Sequence, residues 1–459
     1  MTHAYVGLVS FDLVAVLAGG AILVGLGLVR RAADGVRCLG LAFLTGWAAL
    51  GVVLSLAAMA GVAPGLAAVL VVAGVLVLAG GLSAPRAPAL LRAATPAPRS
   101  GLARAAALAG GVVLVGSLLT ALLEAVRSTA DASWDVWDFW LPKAEAIYYF
   151  HGLDTGPGGF TTFANPEYPP LVPLLDAAGF DFSGGVHAGV LPLQQCLLLV
   201  GFVGSLLALL RRVPSWILLP LVALVVLSPQ VWGQMLSVLP DSTLAYLLAV
   251  AAVAGILWLE DGARAWLVLA AVFLAAAALT KPEGVLLGAL LAVVLLATAS
   301  VLRGRFAPAG LVLVLGPAAT IPWRVWLAAH AQPVQADVYS WGSLAHPVFL
   351  AHRFDRLTYA TGKMADLLAD SGRWSAVLPL ALAALIVLAP VLRALSAALA
   401  AWIVVAFFGL ATVYWIGTPD VHWYVSTSAY RVVANLPVVA GAVLPLLLGI
   451  ALERDSRTR

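Results

Sequence analysis

The chain has 459 residues, of which 63% are hydrophobic and only 10% are charged, and its formal net charge is +3. A soluble domain carries about 25% charged and about 45–50% apolar residues, so polar side chains could not cover a soluble surface here. The apolar content also excludes an intrinsically disordered chain, and the two cysteines exclude a disulfide-stapled one. A polytopic membrane protein remains, in which each spanning helix takes about 20 apolar residues.

Apolar windows along the chain predict an all-α protein with about 13 transmembrane helices. The windows lie near residues 6–29, 38–60, 64–82, 105–123, 187–210, 215–232, 242–259, 265–279, 284–302, 307–327, 374–392, 394–415 and 433–452. The first apolar run has no basic segment before it, so we expect it to stay as a span and not to be cleaved as a signal peptide.

The distribution of charge predicts the orientation of these spans. Loops on one side hold 16 of the 25 basic residues, and 16 of the 22 acidic residues lie on the other side. Basic loops remain in the cytoplasm, so we predict an outside N-terminus and a cytoplasmic C-terminus. The preference for arginine over lysine in a chain rich in Ala, Val, Leu and Gly is typical of a GC-rich bacterial genome, so the membrane we expect is the bacterial cytoplasmic membrane. The loops 124–186, 328–373 and 416–432 then face outward.

Acidic residues and tryptophans crowd the start of the first outer loop. The acids are Asp131, Asp135 and Asp138, and the tryptophans are Trp134, Trp137 and Trp140. Helical spacing of the apolar residues that follow predicts a short helix along the membrane surface. Two interpretations stay open. Asp135 and Asp138 are caps that suit a helix dipole, or one of them is a general base at the membrane–water boundary.

Further segments place polar residues at the outer ends of predicted spans. A proline-rich segment carries Glu167 and Tyr168, which are either part of a turn or a second acid and an acceptor ligand. Asp241 opens a later span, where a helix cap is the structural alternative. Lys281 and Glu283 interrupt two apolar runs, and charges at that depth must pair with each other or face water.

Two arginines are predicted at outer helix ends. Arg324 can reach the interface by snorkelling along its apolar stem. Arg431 ends a segment that also carries His422, a further candidate substrate ligand, and Arg431 lies outside against the positive-inside trend. No acid is close to Arg431 in sequence, since Asp420 is 11 residues earlier. Arg431 is therefore a candidate phosphate ligand, because a guanidinium donates two parallel hydrogen bonds to such an anion.

The sequence contains no cysteine–histidine metal motif, Walker A loop, dinucleotide-binding loop or nucleophile elbow. ATP-driven and nicotinamide chemistry are therefore not indicated, and no nucleic-acid partner is expected. Outward carboxylates and cations beside aromatic residues at membrane level suit chemistry on a lipid-borne anion.

Five segments in order resemble multi-span glycosyltransferases of the GT-C fold, and within them the bacterial group related to protein mannosyltransferases and lipid A aminoarabinose transferases. The segments are WDVWDFWLPKA, EYPPLVPLL, LPDSTLAY, LTKPEG and WYVSTSAYR. The resemblance covers about residues 105–459, as a catalytic core whose outer loops bear short juxtamembrane helices. Residues 1–104 are left as an added three-span unit with a cytoplasmic linker.

The resemblance implies a polyprenyl-phosphate sugar as donor and transfer of a hexose or pentose at the outer face of the cytoplasmic membrane. The acceptor would be a glycan, a lipid or a protein. The family's first-loop acid falls on Asp135, with Asp138 as the alternative, its later acid on Asp241 and its closing arginine on Arg431. Many relatives have an adjacent acid pair in the first loop, whereas the acids here are spaced.

The expected mechanism is direct displacement at the anomeric carbon. Asp135 accepts the proton of the acceptor hydroxyl, and Arg431, with Lys281 or Arg324, stabilises the leaving phosphate.

Three further points stay open. We expect no organic cofactor, and a divalent metal held by Glu167 and Asp241 is left as an alternative. Two other function classes remain, namely a flippase or transporter for a lipid-linked saccharide and an inactive subunit of an assembly complex. The three N-terminal spans are a candidate contact for a partner protein.

Overall fold

A computed structural model describes residues 2–84, 100–128, 133–304, 308–332 and 340–458. The α-helices within these ranges are α1 Thr2–Gly25, α2 Ala32–Arg37, α3 Leu39–Met59, α4 Leu66–Ser83, α5 Gly101–Arg127, α6 Leu141–Phe150, α7 Leu171–Ser183, α8 Leu191–Leu209, α9 Ser215–Val226, α10 Pro229–Leu236, α11 Pro240–Asp261, α12 Arg264–Thr280, α13 Pro282–Arg303, α14 Val312–Ala318, α15 Ile321–Ala329, α16 Pro347–Ala351, α17 Phe354–Ala369, α18 Ser371–Trp374, α19 Val377–Leu388, α20 Arg393–Ile416, α21 Val421–Val432 and α22 Asn435–Thr458. The predicted acid Asp131 and most of the predicted cytoplasmic linker lie outside the described residues.

The fold is an all-α bundle with many membrane-spanning helices, as the hydropathy predicts. Within the described ranges, 10 helical stretches are long and apolar enough to cross a membrane. The pair α9 and α10 adds an eleventh if it forms one span bent by 54°. The bend precedes Pro229, whose ring disfavours helical geometry in the residue before it. Two other predicted spans coincide with the shorter apolar helices α12 and α19, so the count of 13 stays a prediction.

Helix α11 forms the centre of the bundle, and α4 and α5 lie at its periphery. The apolar window of α11 is buried on all sides, whereas only 17% of the window in α4 and 22% of that in α5 is buried. Exposed apolar helix faces of this kind suit contact with lipid. The functional argument therefore concerns what surrounds the ends of α11.

The N-terminal helices pack tightly on each other and on the rest of the bundle. A Cβ atom at Gly46 of α3 would lie 1.8 Å from the carbonyl oxygen of Ala15, and one at Gly19 of α1 would lie 1.9 Å from that of Ala42. Only glycine permits this approach, which is typical of packed membrane helices. Helix α3 also contacts α8 and α12, so the N-terminal helices are joined to the predicted core.

Charged residues gather at both ends of α11. Asp241 lies in its first turn, and Glu260 near its last turn lies 2.7 Å from Arg454 and 4.0 Å from Arg212. At 1.5 Å per residue, the two acids are about 28 Å apart along the helix. This separation is close to the hydrocarbon thickness of a bilayer, about 30 Å. The two charged ends therefore suit the two membrane interfaces.

Candidate functional site

A cavity of about 800 Å³ opens beside the Asp241 end of α11. Its charged and aromatic lining includes Asp135, Tyr168, Lys281, Glu283 and Arg431. Five of the ten predicted site residues therefore share one cavity, although they come from four separate stretches of sequence. The predictions made from each segment separately converge on this single site.

Asp135 and Arg431 contact each other directly across the cavity wall. The Nη1 atom of Arg431 donates to Oδ2 of Asp135, which lies 296 residues away in sequence. Asp135 begins the π-helical turn Val136–Trp140 but makes no side-chain cap bond there. A π-helical turn of this kind is often found at functional sites. The side chain of Asp135 therefore does not act as a helix cap in this structure.

The anionic neighbour of Arg431 is an acid that sequence proximity does not reveal. Asp420, the nearest acid in sequence, instead accepts a hydrogen bond from the backbone N–H of Trp423 at 2.9 Å and caps α21. Arg431 also interacts electrostatically with Asp241. Its Nε atom is buried without a hydrogen-bond partner in the described part of the chain. One donor of the guanidinium therefore remains available to another acceptor.

Lys281 forms a second, deeper ion pair with Asp241. Its Nζ atom lies 2.8 Å from Oδ1 of Asp241 and 3.9 Å from Oε1 of Glu283. The local Lys281–Glu283 pair expected from sequence is present, but the closer partner is 40 residues away. A Cβ at Gly284 would lie 1.9 Å from the carbonyl oxygen of Ala277, so this glycine lets α12 and α13 meet closely beside the lysine.

The charges around the cavity do not balance. Three carboxylates, from Asp135, Asp241 and Glu283, accompany two cations, Lys281 and Arg431. Each cation is already next to a carboxylate, and a partly buried ion needs such compensation. An incoming anion must therefore compete with a carboxylate for the guanidinium or the ammonium group.

Tyr168 lies between two lysines at the cavity wall. Its ring centroid is 6.0 Å from Nζ of Lys281 and 5.7 Å from Nζ of Lys143. The preceding residue, Glu167, has a buried side chain that does not line the cavity. The backbone oxygen of Glu167 accepts a hydrogen bond of 2.8 Å from the indole of Trp323. The proline-rich segment is thus anchored to α15 and presents Tyr168.

Lys143 is a buried lysine that the sequence analysis did not identify as a site residue. Its side chain is fully buried between Phe139 and Phe160, at 5.5 and 5.1 Å from the ring centroids, and it donates to the backbone oxygen of Asn165. Burial lowers the pKa of this lysine to about 7, and the nearby Glu167 carboxylate opposes that shift. The sequence offers one signal for this residue: Lys143 is next to Ala144, which lies on the apolar face of α6.

Helix α21 forms one wall of the cavity, and residues outside the sequence prediction hold it in place. Arg353, just before α17, and Arg356 of α17 donate to the backbone oxygens of Gly417 and Pro419, at 2.5 and 2.7 Å, in the turn before α21. The Tyr414 and Ser428 hydroxyls are hydrogen-bonded at 2.9 Å. These contacts fix the helix that carries Arg431.

Three other predicted site residues do not line this cavity. Asp138 is half-buried at the π-helical turn. Arg324 is exposed on α15. His422 is exposed on α21, and its ring packs on Tyr359 with 4.2 Å between centroids. Arg324 is therefore not placed to assist Arg431, and Lys281 is the second cation of this cavity.

The divalent metal that the sequence analysis left open for Glu167 and Asp241 stays an alternative. Oδ1 of Asp241 accepts a hydrogen bond from the ammonium group of Lys281. Within the described ranges, no group of three or more His, Cys, Asp or Glu residues is arranged to hold a metal ion.

No protein-family model, curated protein or solved structure matches the chain.

Proposed function

We propose that the protein transfers a sugar from a polyprenyl-phosphate-linked donor to an acceptor at the outer face of a bacterial cytoplasmic membrane. The observation that carries the proposal is the contact of Asp135 with Arg431 in the wall of a large cavity. A base and an anion-binding cation are thereby held next to each other, as displacement of a phosphate by a hydroxyl requires.

The character of the cavity lining supports a lipid-borne substrate. The apolar side chains of Leu410 and Val413 line the cavity together with Arg431. Trp134 and Trp423 also line it and are 59% and 61% exposed. Indole rings favour the membrane–water interface. A ligand with an apolar chain and an anionic head suits this combination.

The proposed reaction is a single displacement at the anomeric carbon. The acceptor oxygen forms a bond to that carbon while the bond from the carbon to the phosphate oxygen breaks. The proton of the acceptor hydroxyl passes to Asp135, and the polyprenyl phosphate leaves with the bonding electron pair. Arg431 and Lys281 stabilise the charge that grows on the phosphate.

The resting ion pair implies an order of events in this proposal. Arg431 cannot grip a phosphate with both Nη groups while Asp135 occupies one of them. The donor phosphate therefore displaces the carboxylate, whose oxygen is then free to accept the proton of the acceptor hydroxyl. Donor binding prepares Asp135 for the acceptor, so we expect the donor to bind first.

The proposal is tested by assaying the purified protein in detergent with radiolabelled polyprenyl-phosphate mannose, glucose and arabinose as donors. Acceptors are a lipid, a peptide and a glycan extract. Transfer of label to an acceptor, or slow donor hydrolysis by water, supports a glycosyltransferase. Protein-dependent movement of the intact donor across a vesicle membrane, with no transfer from any donor, would favour a flippase.

The proposed orientation has its own test. Cysteines replace Thr155 in the first outer loop and Ser456 in the C-terminal helix, in a chain whose buried Cys38 and Cys196 are changed to alanine. A thiol reagent that cannot cross the membrane should label position 155 in intact cells, and position 456 only after lysis. The reverse pattern would overturn the outer location of the site.

A further inference from the structure

A second, smaller cavity adjoins the first one on the α17 side of α21. Its volume is about 380 Å³. It is lined by Tyr359, Lys363, Asp366, Leu367, Asp370, Arg373, Val425, Ser426 and Tyr430. Ser426 and Tyr430 also line the larger cavity. A ligand in this groove, which we call the α17 groove, can therefore reach toward Arg431.

The charges in the α17 groove cancel. Lys363 lies 3.9 Å from Asp366, and Arg373 lies 3.0 Å from Asp370. These four groups contribute two positive and two negative charges at neutral pH, so the groove has no net charge to attract an ionic ligand. The lining of the larger cavity also holds two carboxylates and two cations, and it differs because a further carboxylate, Asp241, pairs with Lys281 from behind the lining.

The groups of the α17 groove match a ligand rich in hydroxyls. The carboxylates accept hydrogen bonds, the ammonium and guanidinium groups donate them, and the hydroxyls of Ser426, Tyr359 and Tyr430 can do both. Tyrosine rings add flat apolar faces. Spaced donors and acceptors beside aromatic rings suit a sugar chain, while a lipid chain would take water from these half-exposed charged groups without replacing its hydrogen bonds.

We propose that the α17 groove binds a neutral glycan, and that this glycan is the acceptor of the transfer reaction. The second part rests on the proposed function. The glycan lies along α17, and its reacting hydroxyl enters the larger cavity past Ser426 and Tyr430, on the side of α21 that carries Arg431. The volume of the groove falls within the range of ligand pockets, about 300–1,000 Å³.

The binding experiment uses isothermal titration calorimetry on the detergent-purified full chain. The probes are mannotriose, maltotriose and cellotriose, with trigalacturonate as an acidic counterpart. We expect at least one neutral triose to bind. Lys363→Ala and Asp366→Ala should each weaken its binding about tenfold, in line with the loss of a hydrogen bond to a charged group. Both side chains are more than half exposed, so the fold should tolerate these changes.

Asp355→Asn is the matched control, because Asp355 is an exposed acid on the same helix, about 16 Å from Asp366. It should leave triose binding unchanged. The proposal is overturned if no neutral triose binds, if trigalacturonate binds more tightly, or if neither alanine variant weakens binding.

A kinetic measurement separates this proposal from the proposed function. With an active donor, the two alanine variants should raise KM for the acceptor about tenfold, while kcat and KM for the donor stay unchanged. A kcat that falls with an unchanged acceptor KM would overturn the acceptor assignment. Triose binding that depends on Lys363 and Asp366, without transfer from any donor, would overturn the proposed function and leave the glycan site standing.

Discussion

Two ion pairs in this molecule have the same exposure and different surroundings. In both Arg431–Asp135 and Arg211–Asp34, the arginine side chain is 14% exposed and the aspartate side chain is 20% exposed. The second pair, at 3.3 Å, joins α2 to the turn after α8, and neither of its residues lines the two cavities described above. Burial and charge alone thus do not separate a functional pair from a structural one.

What separates the two pairs is the space beside them. The Arg431–Asp135 pair lines a cavity of about 800 Å³ that also contains Lys281 and Glu283. A ligand can enter there and exchange with one member of the pair. The Arg211–Asp34 pair connects α2 to the turn after α8 and lines neither of the two described cavities. The predictions below ask whether activity depends on the first pair and stability on the second.

The largest effect is expected for Asp135→Asn. The amide keeps the size of the side chain but cannot accept a proton, so sugar transfer should fall by about 10²–10⁴-fold, the usual contribution of a general base. Initial rates at saturating donor and acceptor measure this loss. Thermal unfolding in detergent should change little.

Asp138→Asn is the matched variant, because Asp138 is three residues away and does not line the cavity. We expect it to keep near-normal turnover. If Asp138→Asn is inactive while Asp135→Asn turns over normally, the base is Asp138. If both variants remain active, neither acid is the base.

The next largest effect is expected for Arg431→Lys. Lysine keeps the charge but cannot form two parallel hydrogen bonds to a phosphate. Turnover or donor affinity should therefore fall about 10²–10³-fold, as when one stabilising donor is removed from an oxyanion site. Arg211→Lys is the control from the structural pair, and it should keep full activity. Equal activity of the Arg431→Lys and wild-type proteins at limiting donor would identify Arg431 as an interface anchor.

The sequence predicted the helices and the charged residues of this site better than the contacts between those residues. Apolar windows indicated the long helices because a spanning helix needs about 20 apolar residues. Lys281 is indicated because charges at membrane depth are costly, and Arg431 because it lies outside against the positive-inside trend. The contacts between Asp135 and Arg431 and between Asp241 and Lys281 span 296 and 40 residues. Such pairs depend on helix packing, which hydropathy does not encode.

Lys143 sharpens the comparison, because its hydrogen-bond acceptor is a backbone carbonyl of Asn165 and not a carboxylate. Burial lowers its pKa to about 7, whereas lysine in an unfolded chain has a pKa near 10.4. Between about pH 7 and 10, the unfolded chain holds a proton that the folded chain lacks. Stability from this residue therefore rises with pH, by at most about 1.4 kcal/mol per pH unit.

Thermal unfolding of the wild type and Lys143→Met between pH 7 and pH 9 tests this expectation. The methionine variant removes the titrating group and should lose the part of the pH slope that Lys143 contributes. The Tm of the wild type should therefore rise relative to that of the variant as the pH increases. A difference that is constant over this range would contradict a lysine that is neutral in the folded state.

The smallest effect is expected for the Arg211–Asp34 pair. Its side chains are only 14% and 20% exposed and lie 3.3 Å apart, so the pair should contribute at least the upper part of the range of about 0.2–1 kcal/mol found for exposed pairs. Arg211→Ala, Asp34→Ala and the double variant form a cycle in which the coupling energy isolates the pair. We expect a coupling of that size in chemical or thermal unfolding, with transfer activity within twofold of wild type in all three proteins.

The same cycle on Arg431 and Asp135 should show strong non-additivity in activity, because removing either member disables the same step. If instead the Arg211–Asp34 cycle changes activity as much as the Arg431–Asp135 cycle does, the cavity is not what separates the two pairs, and the functional assignment of Asp135 and Arg431 loses its structural basis.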